Sequence, residues 1–281
     1  PAKWRVSFWE FGRSIVLKPA CDSKQHTREY KLSESLTMER RKIGPLDCVV
    51  VDAPGCDKEV RCVVILCHGF GASGEDLVPC APELHGMVEG GLNHVRFVFP
   101  AAPIELDPGG FYDSRAWWPI DMIRLQQIME TGELRDLRNE RPELLDLRRQ
   151  QVIDLIHAIA EETSLTLDRF VLGGFSQGAM LTTEVALSLD ECVGGLVIWS
   201  GTLLSEQQWL EYLKTRRGLR IVQSHGTIDP ILPFQGAVLL RELLTRHEMP
   251  PEFIEFTGQH TIPREAIARA ANRISQVARQ D

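Results

Sequence analysis

The segment Arg169-Phe170-Val171-Leu172-Gly173-Gly174-Phe175-Ser176-Gln177-Gly178 passes from an apolar, strand-forming run into a serine set between two glycines. A helix-forming run follows at once, Ala179-Met180-Leu181-Thr182-Thr183-Glu184-Val185-Ala186-Leu187. The spacing predicts a strand, a tight turn and a helix, with Ser176 at the apex. Such a turn forces the serine backbone into a sparsely populated conformation that costs about 1–3 kcal/mol. Gly174 and Gly178 have no Cβ to clash where strand and helix close on each other. The hydroxyl is thereby pushed into the open beside a helix N-terminus. The same five-residue pattern also arises by chance in glycine-rich turns. The strand-turn-helix setting is what favours a nucleophile.

A nucleophile needs a base, and the base an orienting acid. On this kind of framework the chain order is Ser, then Asp or Glu, then His. Leu219-Arg220-Ile221-Val222-Gln223-Ser224-His225-Gly226 reads as a strand that ends in a glycine, and Thr227-Ile228-Asp229-Pro230-Ile231-Leu232-Pro233 follows it. Asp229 thus lies just past a strand, in a loop stiffened by two prolines, although an Asp before Pro is often a plain turn residue. Pro251-Glu252-Phe253-Ile254-Glu255-Phe256 reads as another strand and empties into Thr257-Gly258-Gln259-His260-Thr261-Ile262-Pro263. A lone loop histidine is usually idle; three residues of the right types, in the right order, each just past a strand, are harder to dismiss. His260 would take the Ser176 proton as Oγ attacks an acyl carbon and return it to the leaving group. Asp229 would hold the imidazole in one tautomer and stabilise the imidazolium.

Negative charge on the tetrahedral intermediate requires waiting donors. The N–H of Gln177, the residue after the nucleophile, is one. Val63-Val64-Ile65-Leu66-Cys67 is a β-branched apolar run leading into His68-Gly69-Phe70-Gly71-Ala72-Ser73-Gly74, whose glycines allow close approach, so the second donor is assigned to the Phe70 N–H. Each donor of this kind is worth about 10²–10³ in rate. His68 and His225 are read as structural residues that brace their loops.

HGFGASGED (68–76), GFSQGAM (174–180), SHGTIDPILP (224–233) and TGQHTIPREA (257–266), in this order and spacing, resemble the phospholipase/carboxylesterase family of α/β hydrolases. The resemblance covers roughly residues 60 to 280. It implies Ser176, Asp229 and His260 as nucleophile, acid and base, and Phe70 and Gln177 as oxyanion donors. It implies that Trp117 and Trp118 match an aromatic pair beside the family's acyl pocket. It also implies hydrolysis of carboxylic esters, in some members of thioesters of fatty acylated proteins, with no metal and no cofactor. Three features depart from the family pattern: Ala179 where many members have a second glycine, Gln259 before the histidine, and added length in residues 1–58 and between Trp118 and Arg169. The added length bears on the substrate rather than on the chemistry.

The chain has 281 residues, 43% hydrophobic and 25% charged, ordinary values for a soluble globular protein. That length suffices to bury about three quarters of the unfolded surface. The formal charge of −8 argues against a nucleic-acid or anionic-membrane footprint. No apolar stretch approaches the roughly 20 residues of a spanning helix, and the start of the sequence does not read as a secretory leader. Seven cysteines, at 21, 48, 56, 62, 67, 80 and 192, are an odd number without C-x-x-C spacing. They read as free, partly buried thiols in a reducing, cytoplasmic compartment. Cys67 lies beside His68, but its place inside a strand argues against a thiol nucleophile.

Alternating strand and helix signals predict an α/β-hydrolase fold, a single domain over 1–281 with a mostly parallel twisted sheet, helices on both faces and an antiparallel N-terminal edge. Strands are expected at 46–51, 61–67, 95–99, 168–173, 193–198, 219–224 and 252–256. Helices are expected at 76–89, 177–189, 205–216, 235–247 and 263–279. An N-terminal strand extension spans 1–58, with a hairpin from Trp4–Trp9 and Ser14–Leu17. A lid-like insertion spans 103–151, with a short helix at 122–129 and a charge-dense part from Glu133 to Arg149 in which Pro142 suits a helix first turn. The expected partner is a small-molecule acyl ester; homo-oligomerisation is left open. Two other readings stand beside esterase: an amidase or peptidase on the same fold, and a ligand-binding protein that has lost catalysis, which the presence of all three candidate residues disfavours.

Overall fold

The computed structural model describes residues 30–33, 36–123, 127 and 136–280. Its centre is β4 (Cys62–Cys67) and β8 (Phe170–Phe175), two neighbouring strands in which every residue is buried. Continuous apolar runs such as Val63-Val64-Ile65-Leu66 suit a strand covered on both faces, where no side chain can reach water. The remaining strands are β1 (Tyr30–Ser33), β2 (Leu36–Ile43), β3 (Leu46–Asp52), β5 (Val95–Pro100), β9 (Gly195–Trp199), β10 (Ile221–Gly226) and β11 (Glu252–Phe256). A two-stranded excursion is made by β6 (Ile104–Glu105) and β7 (Arg115–Ala116).

The nine-stranded order is β1-β2-β3-β5-β4-β8-β9-β10-β11. From β5 through β11 every neighbouring pair is parallel, whereas β1–β2, β2–β3 and β3–β5 are antiparallel. The carboxyl ends of β4, β8, β9, β10 and β11 therefore share one edge of the sheet, where ligands of such folds bind. The helices are α1 (Cys80–Gly86), α2 (Leu145–Thr163), α3 (Gln177–Ser188), α4 (Glu206–Leu213), α5 (Phe234–Arg246) and α6 (Arg264–Ala278). One face of the sheet packs with α2, α3, α4 and α5, including Leu155, Leu181, Trp209 and Leu240. The other packs with α1 and α6, including Leu84, Ile267 and Ile274.

The mostly parallel sheet, its helices on both faces and its antiparallel edge are as the sequence leads one to expect. Several elements differ. The antiparallel edge contains β1 and β2, neither of them anticipated, and the expected hairpin from Trp4 to Leu17 lies outside the described residues. The longest helix among the described residues, α2, has 19 residues and starts at Leu145, not at Pro142, which sits in the preceding turn as acceptor for the Leu145 N–H. The first expected helix is shorter than 76–89, because residues up to Pro79 form turns. Of the expected helix at 122–129, Met122, Ile123 and Gln127 are helical and the rest lies outside the described residues. Cys62 and Cys67 both lie in β4; Cys48, Cys56, Cys80 and Cys192 are free as well, and Cys21 is outside the described residues.

Candidate active site

Ser176 follows the last residue of β8 and caps α3, with φ 55° and ψ −116°. That left-handed conformation is the strain expected of the turn. It is held from both sides: the Ser176 N–H donates to the Trp199 carbonyl at 2.9 Å, and the Ser176 carbonyl accepts from the Met180 N–H at 3.1 Å. Gly178 has no room for a side chain, since a Cβ there would collide with the carbonyl groups of Cys67 and His68. The glycine lets the first turn of α3 settle on the end of β4. A Cβ added to Gly69 would stand 3.4 Å from Ser176 Cβ, so the loop after β4 runs directly against the serine.

Asp229 and His260 meet at the same edge. His260 Nδ1 lies 2.5 Å from Asp229 Oδ2, and the His260 ring packs on that of Phe175, centroids 4.7 Å apart, one residue before Ser176. Asp229 Oδ1 accepts from the N–H groups of Ile231 and Leu232 at 2.8 and 2.9 Å. Burial would raise the Asp229 carboxyl, but hydrogen bonds from His225 and His260, the charge of His260 and the Leu232 N–H overcome it and hold the group well below the usual carboxylate range. The two loops are stitched together: the Thr227 N–H donates to Phe256 O and the Ile228 N–H to Gly258 O. Gly226, at the end of β10, lies so close under Gly258 and Gln259 that any Cβ would strike their carbonyls.

The loop after β4 is equally fixed. His68 is buried, donates from Nδ1 to Gly69 O at 2.8 Å and accepts the Ala102 N–H on Nε2 at 3.0 Å. It is the brace the sequence suggests. The Gly71 N–H donates to Arg115 O and the Arg115 N–H to Ala72 O, which pins the loop to β7. Among the described residues the N–H groups of Phe70 and Gln177 have no protein acceptor.

The network of side-chain contacts that frames these two amides was not legible in the sequence. The Gln177 side chain accepts the Trp117 N–H at 2.8 Å and donates to Trp118 O at 2.9 Å. Trp117 Nε1 donates to His68 O at 3.0 Å, and Arg148 Nε of α2 donates to Trp117 O at 2.8 Å. Both tryptophans are buried, with 0% and 4% of their surfaces exposed. The contacts the structure gives Trp117 tie the loop after β4 to the start of α3. A lone Gln after a nucleophile and an Arg within a charge-dense run carry no signal of this in sequence. Among the described residues of the 103–151 stretch, the exposed large apolar side chains are Leu106, Phe111, Tyr112, Met122, Ile123 and Leu147. Among the described residues no helix is long and apolar enough to cross a membrane.

Comparison with known proteins bears on the whole assembly. The sequence model of the phospholipase/carboxylesterase family matches residues 46–278, so the likeness begins at β3, earlier than the expected residue 60. Acyl-protein thioesterase 1 of Eremothecium gossypii is 29% identical over 184 residues, 64% of this chain and 72% of that protein. Acyl-protein thioesterase 1 homolog 1 of Dictyostelium discoideum is 28% identical over 207 residues, 72% of this chain and 84% of its own. Among solved structures, esterase PE8 superposes with a TM-score of 0.66 at 20% identity, covering 84% of this chain and 98% of its own. A carboxylesterase from Mesorhizobium loti gives 0.60 at 17% identity, covering 84% and 97%; at these identities the likeness is one of fold.

Proposed function

The chain belongs to the phospholipase/carboxylesterase family of α/β hydrolases and is an esterase or thioesterase of that family, and from this premise we propose that it cleaves small to medium acyl esters, thioesters included, through Ser176, His260 and Asp229. The observation that carries the reading is the 2.5 Å contact between His260 Nδ1 and Asp229 Oδ2, beside a serine held at positive φ on a strand-to-helix turn. Asp229 accepts a hydrogen bond from the Nδ1–H, which leaves Nε2 of His260 as the base. Nε2 takes the Oγ proton as Ser176 bonds to the acyl carbon, and the carbonyl oxygen becomes an oxyanion facing the Phe70 and Gln177 amides. The tetrahedral intermediate collapses, the alcohol or thiol leaves with the proton from His260, and water repeats the sequence on the acyl-enzyme. Trp117 and Trp118 form the wall behind this centre. The relatives named acyl-protein thioesterases extend the reading to thioesters of acylated proteins. The free thiols of the described residues fit a cytoplasmic setting.

A panel of p-nitrophenyl esters of increasing acyl length, an acyl thioester and an anilide tests this. Turnover of esters or the thioester, lost in Ser176→Ala and accompanied by fluorophosphonate labelling of the Ser176 peptide, is the expected result. Anilide turnover at a comparable rate would move the assignment to an amidase, and silence towards every substrate would withdraw catalysis.

A further inference from the structure

Asp229 Oδ2 serves two imidazoles, and the assignment above uses only one. His225, in β10, is fully buried, and its Nε2 lies 2.7 Å from Leu232 O and 3.3 Å from Asp229 Oδ2. A backbone carbonyl can only accept, so Nε2 carries a proton and shares it between the carbonyl and the carboxylate. His225 Nδ1 is buried without a partner among the described residues, which leaves the Nε2 side as the ring's single polar attachment. Oδ1 of the same carboxylate is occupied by the Ile231 and Leu232 amides. Four donors thus surround Asp229 and together fix the orientation of its carboxylate.

We infer that His225 is a positioning residue for this site: through Leu232 O and Asp229 Oδ2 it locks the acid loop and draws part of the carboxylate's charge away from His260. The inference rests on the triad reading. Its charge consequence has a definite direction. Among the described residues, the charged and titratable groups facing the carboxylate are His225 from β10 and His260 from the loop after β11. Phe234 of α5, 6.2 Å from the His225 ring, and Phe175 of β8, against His260, are uncharged. Removing the His225 donor leaves Asp229 a stronger partner for the His260 imidazolium, so His260 holds its proton to higher pH.

The test is the pH profile of kcat/KM for a p-nitrophenyl ester in His225→Phe, which keeps a ring and loses the donor, and His225→Gln, which keeps a donor. His225→Phe should lower kcat about tenfold with KM little changed and displace the acid limb upward by about half a unit or more. His225→Gln should restore most of the rate and return the limb. A folded His225→Phe with native kcat and native limb overturns the inference, and so does a His225→Gln as impaired as His225→Phe, which would mark a packing role. If His225→Phe does not fold, His225→Asn, too short to reach Asp229, must show the displaced limb; a native limb there overturns it equally. Ser176→Ala separates the two levels. Activity surviving in that variant would sink the triad reading itself, whereas an inactive Ser176→Ala beside an indifferent His225→Phe sinks only the role of His225.

Discussion

His68 is locked into one protonation state by its neighbours. Nδ1 donates to Gly69 O, so Nε2 must be the acceptor that the Ala102 N–H finds there. A second proton would set an N–H against an N–H. Burial, opposed only in part by the Gly69 hydrogen bond, pushes the ring's pKa down to about 4. In the unfolded chain it returns to about 6.5. Between those values the unfolded chain binds a proton that the folded protein refuses. The stability His68 contributes is therefore whole above the unfolded pKa, declines as pH falls through the window and levels off below the folded one, a total of about 3 kcal/mol. Urea unfolding at a series of pH values should show that decline, and His68→Gln should flatten it; an equal slope in both proteins would mean that other groups set it. At Gly178 the constraint is steric. Gly178→Ala must move α3 off the carbonyls of Cys67 and His68, which should destabilise the fold by about 1–3 kcal/mol and cut turnover even in the surviving folded fraction. An active-site titration that normalises rate to folded enzyme checks it. Both residues stood out in sequence for what flanks them: Gly178 through the elbow spacing, His68 through the strand before it and the glycines after it. Ser176, Asp229 and His260 stood out for the same reason, because each follows a strand signal. The contacts of Gln177, Arg148 and His225 did not, because each depends on a partner 7 to 60 residues away and no local pattern encodes it.

At the level of elements, α2 shows how a charge run can blur where a helix begins. Leu145, Val152, Leu155, Ile156 and Ile159 are its buried stripe, spaced as one helical face requires. The dense charges from Glu133 to Arg149 straddle its true start at Leu145, so the region reads as a solvated insertion and the stripe is split in two. The position of that start matters because α2 supplies Arg148, whose Nε reaches Trp117 O. With Gln177 bonded to Trp117 N and Trp118 O, three elements meet on the tryptophan pair of the loop after β7: α2, the loop after β4 and the first residue of α3. Gln177→Ala leaves the backbone amide in place but strands two buried backbone groups, a cost of about 1–3 kcal/mol each at most. Under the proposed mechanism, a loosened frame would no longer hold the Phe70 and Gln177 amides at the oxyanion position. The expected outcome is a fall in kcat of about tenfold or more with KM nearly constant, the signature of an interaction made mainly in the transition state. Steady-state kinetics on one ester decide it, and a change confined to KM would place Gln177 in substrate binding instead.

Across the whole molecule, the parallel body was readable because each strand is an apolar run followed by a helical pattern, from Val63-Val64-Ile65-Leu66 to Glu252–Phe256. The antiparallel edge was expected, with β3 as one of its strands, but its outer strands β1 and β2 were not. Residues 37–42 of β2, Thr-Met-Glu-Arg-Arg-Lys, are too polar to suggest a strand, yet Leu36, Met38 and Ile43 turn inward and the charges turn out. Those charges serve to fasten the edge to the body. Arg41 of β2 makes a two-pronged contact with Glu162 of α2, both bonds 2.9 Å. Arg96 of β5 reaches the same carboxylate at 2.6 Å and grips Asp52 of β3 at 2.8 and 2.9 Å. One helix residue thus clamps two strands. An isolated surface pair would contribute at most about 1 kcal/mol, but Arg96 is only 13% exposed and two guanidinium groups converge on one acid, so the network should exceed that. Glu162→Gln keeps the shape and removes the charge that both arginines face. It should cost about 1–3 kcal/mol, which for a domain of this size lowers Tm by about 2–4 °C per kcal/mol. The gap between variant and wild type should narrow in high salt, where exposed charge is screened. Because β2 lies four strands from β8 in the sheet order, kcat on an ester should stay within experimental error of wild type. Calorimetry at low and high salt beside one kinetic assay reads all three outcomes. An unchanged Tm would show that hydrogen-bonded strand pairing alone, without the clamp, holds the antiparallel edge to the catalytic body.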